Sequence, residues 1–170
     1  MTQTTPAAAA IAIRRATAAD FDSIWEIFRR VLATEDTWFY PASMTRDEAA
    51  ALWKAKGTHT FVAEHDGEIR GAYFFRAVYP GLASHIANAG YIVHPKRQGL
   101  GIGRALGEHS LIEAKRAGFT AMQFNFVVST NAPAVALWQK LGFEIIATLD
   151  KAFLHRDLGF VDAFVMRRDL

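Results

Sequence analysis

The chain contains no cysteine, which excludes disulfides, thiolate metal sites and cysteine nucleophiles. It also has no apolar run of about 18 residues, so we expect no membrane span. Neither sign of charge dominates: 19 basic and 17 acidic side chains leave a net charge of +2, too small to argue for nucleic-acid binding. No basic leader precedes the short apolar patch at the start. We therefore expect residues 1–10 to be a disordered tail and the protein to be cytoplasmic.

Half of the 170 residues are apolar, which is enough for one sizeable core, and we expect a single domain over residues 11–170. Apolar periodicity, caps and turn residues divide this domain into alternating elements. The predicted strands are 11–16, 60–65, 68–78, 85–93, 121–128, 143–149 and 161–167. The predicted helices follow the capping boxes at residues 17–20 and 45–48, the second of them ending at Gly57, and span residues 102–117 and 132–140.

The central part of this order fixes the class of fold. Strand 85–93, helix 102–117 and strand 121–128 form a βαβ crossover, which requires the two strands to be parallel. The hairpins on either side, such as the one signalled by Asp66-Gly67, require antiparallel pairing. The sequence therefore predicts an α/β fold with a mixed, mostly antiparallel sheet, a central parallel strand pair and helices on both faces.

The stretch VHPKRQGLGIGRAL (residues 93–106) has three alternate glycines just where a helix begins. It is not a Walker loop, because no lysine follows Gly103, and its G-x-G-x-G spacing differs from the dinucleotide fingerprint. Glycines here allow close backbone approach, and the free N–H groups of a first helical turn suit a pyrophosphate. The stretch therefore predicts a phosphate-binding turn.

The segment Gln98-Gly-Leu-Gly-Ile-Gly103 resembles the Q/R-x-x-G-x-G/A signature of the GCN5-related N-acetyltransferases (GNAT). The block NAPAVALWQKLGF (residues 131–143) and the order of elements resemble the same family over nearly the whole chain. The resemblance implies a GNAT fold, with the parallel strands splayed apart, and an enzyme that uses acetyl-CoA without a metal. The cofactor-binding residues that it implies are Ile92, Val93, Gln98, Gly99, Leu100, Gly101, Ile102, Gly103, Arg104, Asn131 and Trp138.

Trp138 departs from the family pattern, because many members have a tyrosine there that protonates the departing thiolate. An indole is not a usable acid. Trp138 therefore packs along the cofactor, within the core, or both. Tyr91, Tyr40, Tyr79 or water remain as alternative proton donors, since general acid help is a moderate effect beside positioning.

Two asparagines lie inside predicted strands, although asparagine is a poor strand former. Asn88 is in the middle of HIANAGYIV, and Asn125 interrupts the apolar run AMQFNFVV. Because the two strands are predicted to be parallel neighbours, both amides can face one seam and orient an amine or donate to an oxyanion. We predict that both are catalytic, against the alternative of two structurally satisfied amides.

The short motifs around these asparagines resemble most closely the acetyltransferases of proline analogues such as azetidine-2-carboxylate. This resemblance implies a small amino acid as acceptor, with Asn88 in catalysis and Asn125 in acceptor binding. The loop over residues 35–40, called the aromatic loop below, lies ahead of the second helix. It is expected to cover that acceptor through Glu35, Trp38 and Tyr40. Peptide or antibiotic acceptors, and a non-catalytic acyl-CoA sensor, remain as alternatives.

None of the six histidines has a partner at metal-ligand spacing, so no metal site is predicted. Residues 155–162 either rim the acceptor site or form a homodimer contact. The expected partner is thus a small-molecule amine, with a homodimer left open.

Overall fold

The computed structural model describes residues 10–97 and 99–170, and Gln98 therefore lies outside it, as do residues 1–9. Within these ranges the chain forms seven strands and four α-helices. The strands are β1 (Ala12–Arg15), β2 (His59–His65), β3 (Glu68–Ala77), β4 (Ile86–Val93), β5 (Ala121–Val128), β6 (Glu144–His155) and β7 (Gly159–Asp169). The helices are α1 (Phe21–Leu32), α2 (Arg46–Trp53), α3 (Ile102–Arg116) and α4 (Ala132–Lys140).

All strands lie in one sheet of order β1-β2-β3-β4-β5-β7-β6, and every neighbouring pair is antiparallel except β4 and β5. The parallel pair is joined at Ile86–Ala121 and Ala87–Met122, the first residues of each strand. Beyond these positions the two strands diverge toward their C-terminal ends. The predicted mixed sheet with a splayed parallel pair is confirmed.

Two apolar clusters form the core, one on each face of the sheet. Side chains of a strand alternate between its faces. In β3, Tyr73 and Phe75 accordingly pack in the cluster with α3 and α4, whereas Ala72 and Phe74 pack in the cluster with α1 and α2. The predicted helices on both faces are thereby confirmed, and none of the described helices is long and apolar enough to cross a membrane.

The predicted end of α2 and the predicted limits of the last two strands are wrong, for local reasons. Helix α2 ends at Trp53 rather than Gly57, which lies in the following turn with φ of 82°. The final hairpin is longer than the predicted strands 143–149 and 161–167. Almost every residue of the edge strand β6 is exposed, so the strand shows little core periodicity. A bulge with Lys151 at φ of 48° interrupts it further.

Candidate active site at the opening between β4 and β5

A cavity of about 490 Å³ lies where β4 and β5 diverge, and this volume is within the range of small-molecule sites. Val93 and Trp138 line it from the α3/α4 side, whereas Leu52 and Phe74 line it from the α1/α2 side. The cavity therefore connects the two faces of the sheet.

The glycine loop lies at the N-terminus of α3. Gly99 and Gly101 have φ of 85° and 77°, and a Cβ at either would meet no atom within 4 Å. Backbone conformation, rather than lack of space, thus explains both glycines. Gly101 caps α3, whose first intrahelical hydrogen bond runs from the Ala105 N–H to the Gly101 carbonyl. The N–H groups of residues 102–104 have no such partner and form a site suited to an anion.

Side chains of this loop serve other purposes than its backbone. Ile102 is 2% exposed, and its Cγ2 would lie 2.9 Å from a Cβ at Gly71, so that glycine lets α3 approach the sheet. The Arg104 Nε donates to Glu108 Oε1 at 2.7 Å on the exposed face of α3. Leu100 is exposed. A cofactor role for these residues stays a prediction, made for their main chain, and the prediction for Gln98 lies outside the described residues.

The remaining residues predicted to bind the cofactor line the cavity together: Ile92, Val93, Asn131 and Trp138. Asn131 caps α4, and its Oδ1 accepts from the Ala134 N–H at 3.4 Å. The Trp138 indole is 8% exposed and lies 4.7 Å from the ring of Tyr91 and 4.8 Å from that of Phe124. Trp138 is therefore both a core residue and part of the cavity wall.

Of the three tyrosines considered as proton donors, Tyr40 and Tyr91 line the cavity. The Tyr91 hydroxyl is 2.7 Å from Ser110 Oγ within the core, and its burial raises the pKa of the phenol. It is thus poorly suited to lose a proton. Tyr79 is 55% exposed and does not line the cavity. Tyr40 does line it and stacks against Trp38 at 6.1 Å.

Asn88 and Asn125 both line the cavity, as the sequence predicts. Asn88 shares the α1/α2 face of β4 with Ile92, four residues on. Asn125 is two residues from Gln123, on the face of β5 opposite to Phe124, which lies in the α3/α4 cluster. The Gln123 Nε2 donates to Asn125 Oδ1 at 2.9 Å. Within residues 10–97 and 99–170, the Asn125 NH₂ has no hydrogen-bond partner. Their predicted roles remain predictions.

The aromatic loop covers the α1/α2 end of the cavity. Trp38 and Tyr40 line it as predicted, but Glu35 does not. Glu35 is exposed at φ of 51°, and its carbonyl accepts from the Arg156 N–H at 3.3 Å. The next residue, Asp36, lines the cavity instead. The left-handed conformation of Glu35 leaves its side chain outside the cavity and places that of Asp36 in the cavity wall. A loop has no periodicity from which this placement could be predicted.

Sequence reasoning missed Arg76, which lines the cavity at the end of β3. It lies opposite Asn88 in the β3–β4 register, and its guanidinium is 5.8 Å from the centre of the Phe74 ring. Among residues 10–97 and 99–170, no carboxylate is within ion-pair distance of Arg76. The signal available in the sequence was the single charged side chain in the otherwise apolar run GAYFFRA.

Other polar groups complete the description of the cavity. The Thr37 hydroxyl is buried in its wall, without a hydrogen-bond partner in the described part of the chain. The same ranges contain no group of three or more His, Asp or Glu side chains arranged to hold a metal ion. The cavity thus presents amides, a hydroxyl and one charge of each sign.

Comparison with known sequences identifies related proteins. The model of the acetyltransferase (GNAT) family matches residues 22–143. The L-methionine sulfoximine/L-methionine sulfone acetyltransferase of Salmonella typhimurium is 32% identical over 143 residues, covering 81% of this chain and 82% of that protein. N-acetyltransferase aca1 of Schizosaccharomyces pombe is 38% identical over 96 residues, covering 56% of this chain. This chain spans 46% of the length of aca1.

Solved structures share the whole fold. A GCN5-related N-acetyltransferase from Kribbella flavida is 38% identical with a TM-score of 0.90, covering 95% of this chain and 98% of that one. The yncA protein of Salmonella typhimurium, solved with its cofactor acetyl-CoA, is 26% identical with a TM-score of 0.83, covering 95% and 94%. The fold predicted from the order of elements, and the enzyme family predicted from the glycine loop, the block at residues 131–143 and that order, are confirmed. The chain belongs to the acetyltransferase (GNAT) family.

Proposed function

We propose that the protein transfers the acetyl group of acetyl-CoA directly to the amine of a small molecule. The observation that carries this proposal is the cavity at the β4–β5 opening, which is lined from both faces of the sheet. A donor entering past α3 and α4 and an acceptor entering past the aromatic loop meet in it. Holding two reactants in this way makes their reaction effectively unimolecular.

The residues on the donor side fit coenzyme A. The uncapped N–H groups of α3 suit its pyrophosphate, and the cavity wall at Val93, Asn131 and Trp138 suits a narrow, partly polar arm. The acetyl-CoA complex of the related yncA protein supports this assignment. Acetyl-CoA supplies the activated acyl carbon, whose bond to sulfur breaks as the bond to the amine nitrogen forms.

The side chains at the opening have the chemistry that such a transfer needs. The Asn88 and Asn125 amides can donate hydrogen bonds to the carbonyl oxygen as negative charge develops on it. The amine loses one proton and the thiolate gains one. Because the Tyr91 hydroxyl is hydrogen-bonded to Ser110, the side chain available to protonate the thiolate is Tyr40, with water as the alternative.

The acceptor that suits this cavity best is a small α-amino acid. Arg76 lines the wall and has no carboxylate partner among the described residues, so its guanidinium can bind the carboxylate of an acceptor, and Asp36 can attract the ammonium form of the amine. The activity named for the Salmonella relative, on methionine sulfoximine and sulfone, supports an amino-acid acceptor. Proline analogues form the narrower class implied by the motifs around Asn88.

A thiol-release assay tests the proposed function. Purified protein with acetyl-CoA is offered L-amino acids, proline analogues, polyamines and a peptide, and each N-acetyl product is identified by mass spectrometry. Thiol release matched by acetylated amino acid supports the proposal. Acetylation of the peptide alone would favour a protein acceptor, and coenzyme A binding without turnover on any amine would favour a sensor.

A further inference from the structure

Gly90 is the middle residue on the acceptor-facing side of β4, between Asn88 and Ile92. A Cβ built on Gly90 would lie 2.5 Å from the Trp38 Cη2 and 3.0 Å from the Phe74 Cε1. Gly90 does not have a positive φ, so its backbone does not require glycine. Glycine is required there because two aromatic rings occupy the space of a side chain.

Trp38 is held in that space from several directions. Its ring lies 5.0 Å from Phe28 in an edge-on arrangement, 6.5 Å from Phe74 and 6.1 Å from Tyr40. Phe28 is fully buried, so the indole rests on the rigid α1/α2 core. Trp38 therefore anchors the aromatic loop against β4, and the size of the space beside Asn88 is fixed.

We propose that Gly90 and Trp38 together set the size limit of the acceptor: glycine lets the indole lie against β4, and the indole excludes amino acids with bulky side chains. This inference rests on the proposed acetyl transfer to amino acids. The whole cavity has about 490 Å³, and the donor's arm shares it with the acceptor. The side chain of the acceptor then has little room beyond the Trp38 ring.

Substitutions at Trp38 test the size limit directly. The ratio of kcat/KM for L-phenylalanine to that for L-alanine is measured by thiol release in wild type, Trp38→Ala and Trp38→Phe. The proposal expects the ratio to rise about tenfold or more in Trp38→Ala, and less in Trp38→Phe, since removed ring volume is what admits the larger side chain. Trp38→Phe keeps an anchoring ring, so it tests the size limit if Trp38→Ala does not fold.

Trp25→Ala is the matched control. Trp25 packs against the same α1/α2 cluster but does not line the cavity, so the same substitution should leave the ratio unchanged. A ratio unchanged by both Trp38 variants, or changed equally by Trp25→Ala, overturns the proposal. Failure of wild type to acetylate any amino acid would instead overturn the proposed function, and the two results are therefore distinguishable.

A double-mutant cycle tests the part played by Gly90. Gly90→Ala should lower the melting temperature of wild type, because the new methyl group lies within 2.5 Å of the indole. In the Trp38→Ala background the same change should have a smaller effect, since the nearer of the two rings is gone and the Phe74 ring at 3.0 Å remains. Equal effects in both backgrounds would show that Gly90 does not act through Trp38.

Discussion

At the residue scale, the acceptor end of the cavity combines one cationic and one anionic side chain with two amides. Arg76 and Asn88 are neighbours across β3 and β4, so a carboxylate bound by the guanidinium would lie close to the amide that we propose donates to the acyl carbonyl oxygen. Asp36 lines the same cavity from the loop. The arrangement therefore matches the two charges of a zwitterionic amino acid.

Arg76→Gln should weaken this recognition selectively. We expect KM for L-alanine to rise about 10–100-fold, because a charge-assisted pair is replaced by a neutral hydrogen bond. The value for L-alaninamide, which has no carboxylate, should change little. Steady-state thiol release with both acceptors measures the difference. A parallel loss on both acceptors would contradict a carboxylate-binding role.

Asn88→Ala should lower kcat rather than the affinity for coenzyme A. Loss of one hydrogen-bond donor to a developing oxyanion costs about 10²–10³-fold in rate. Asn88→Asp keeps the shape but has no N–H to donate, so it should be impaired as well. Single-turnover rates and calorimetric coenzyme A affinities separate the two effects. Normal turnover in Asn88→Asp would argue that the amide only fills space.

At the scale of elements, the packing of α3 on α4 depends on one small residue. A Cβ at Gly107 would lie 2.7 Å from the Leu141 Cδ1 and 3.1 Å from the Trp138 Cζ3, whereas one at Gly103 would meet Leu137 and Val93 at 3.8 Å. Gly107 therefore makes room for the indole that this chain has in place of the family's tyrosine.

These two glycines of α3 give a matched pair of variants. Gly107→Ala should destabilise the protein by about 1–3 kcal/mol through overpacking. Gly103→Ala has ordinary van der Waals space and gains helix propensity, so the free energy of unfolding should stay the same or rise. Denaturant unfolding compares them. Equal stability of both variants would mean that α3 and α4 can separate without cost.

The glycine loop is the second element-scale feature open to test. At Gly101, with φ of 77°, asparagine tolerates the left-handed conformation better than most residues, and aspartate has nearly the same shape with a negative charge. We expect Gly101→Asp to bind coenzyme A at least about tenfold more weakly than Gly101→Asn, because its carboxylate would repel the pyrophosphate that we propose is bound at this turn. Isothermal titration calorimetry measures both. Equal affinities would place the pyrophosphate elsewhere.

At the scale of the whole molecule, an ion-pair cluster ties β1 to the start of α1 and to β2. Both oxygens of the buried Asp20 accept from the Arg14 guanidinium at 2.8 Å, and Arg14 also contacts Glu64. The Arg14 hydrogen bonds, aided by Thr17, hold the pKa of Asp20 well below its usual range. The folded state therefore favours the charged carboxylate.

The depressed pKa predicts how stability depends on pH. The contribution of Asp20 is fully present above its unfolded pKa of about 4 and is lost as the pH falls toward the folded value. Asp20→Asn should therefore cost about 2 kcal/mol at pH 7, with the difference from wild type shrinking below about pH 4. Asp22→Asn, at an exposed pair with Arg46, is the control with little effect. A difference that does not vary with pH would contradict the assignment.

The elements and site residues that local sequence patterns mark could be predicted, whereas those that depend on contacts between distant residues could not. Strand β5 and helix α4 begin and end where predicted, because an apolar run and the Asn131 cap mark them. Asn88 and Asn125 stood out because amides are rare in strands. Arg76 was missed because its place opposite Asn88 depends on the β3–β4 register, and Gly90 because its contact with Trp38 joins residues distant in sequence.

We propose that donor and acceptor meet at the β4–β5 opening and that the acetyl group is transferred there. The most direct measurement is the yield of N-acetyl-L-alanine and of free coenzyme A in one reaction, for wild type and Asn88→Ala. We expect equal molar yields of both products in wild type, and a large fall in both for the variant at unchanged coenzyme A affinity. Coenzyme A binding without any acetylated amine would contradict it.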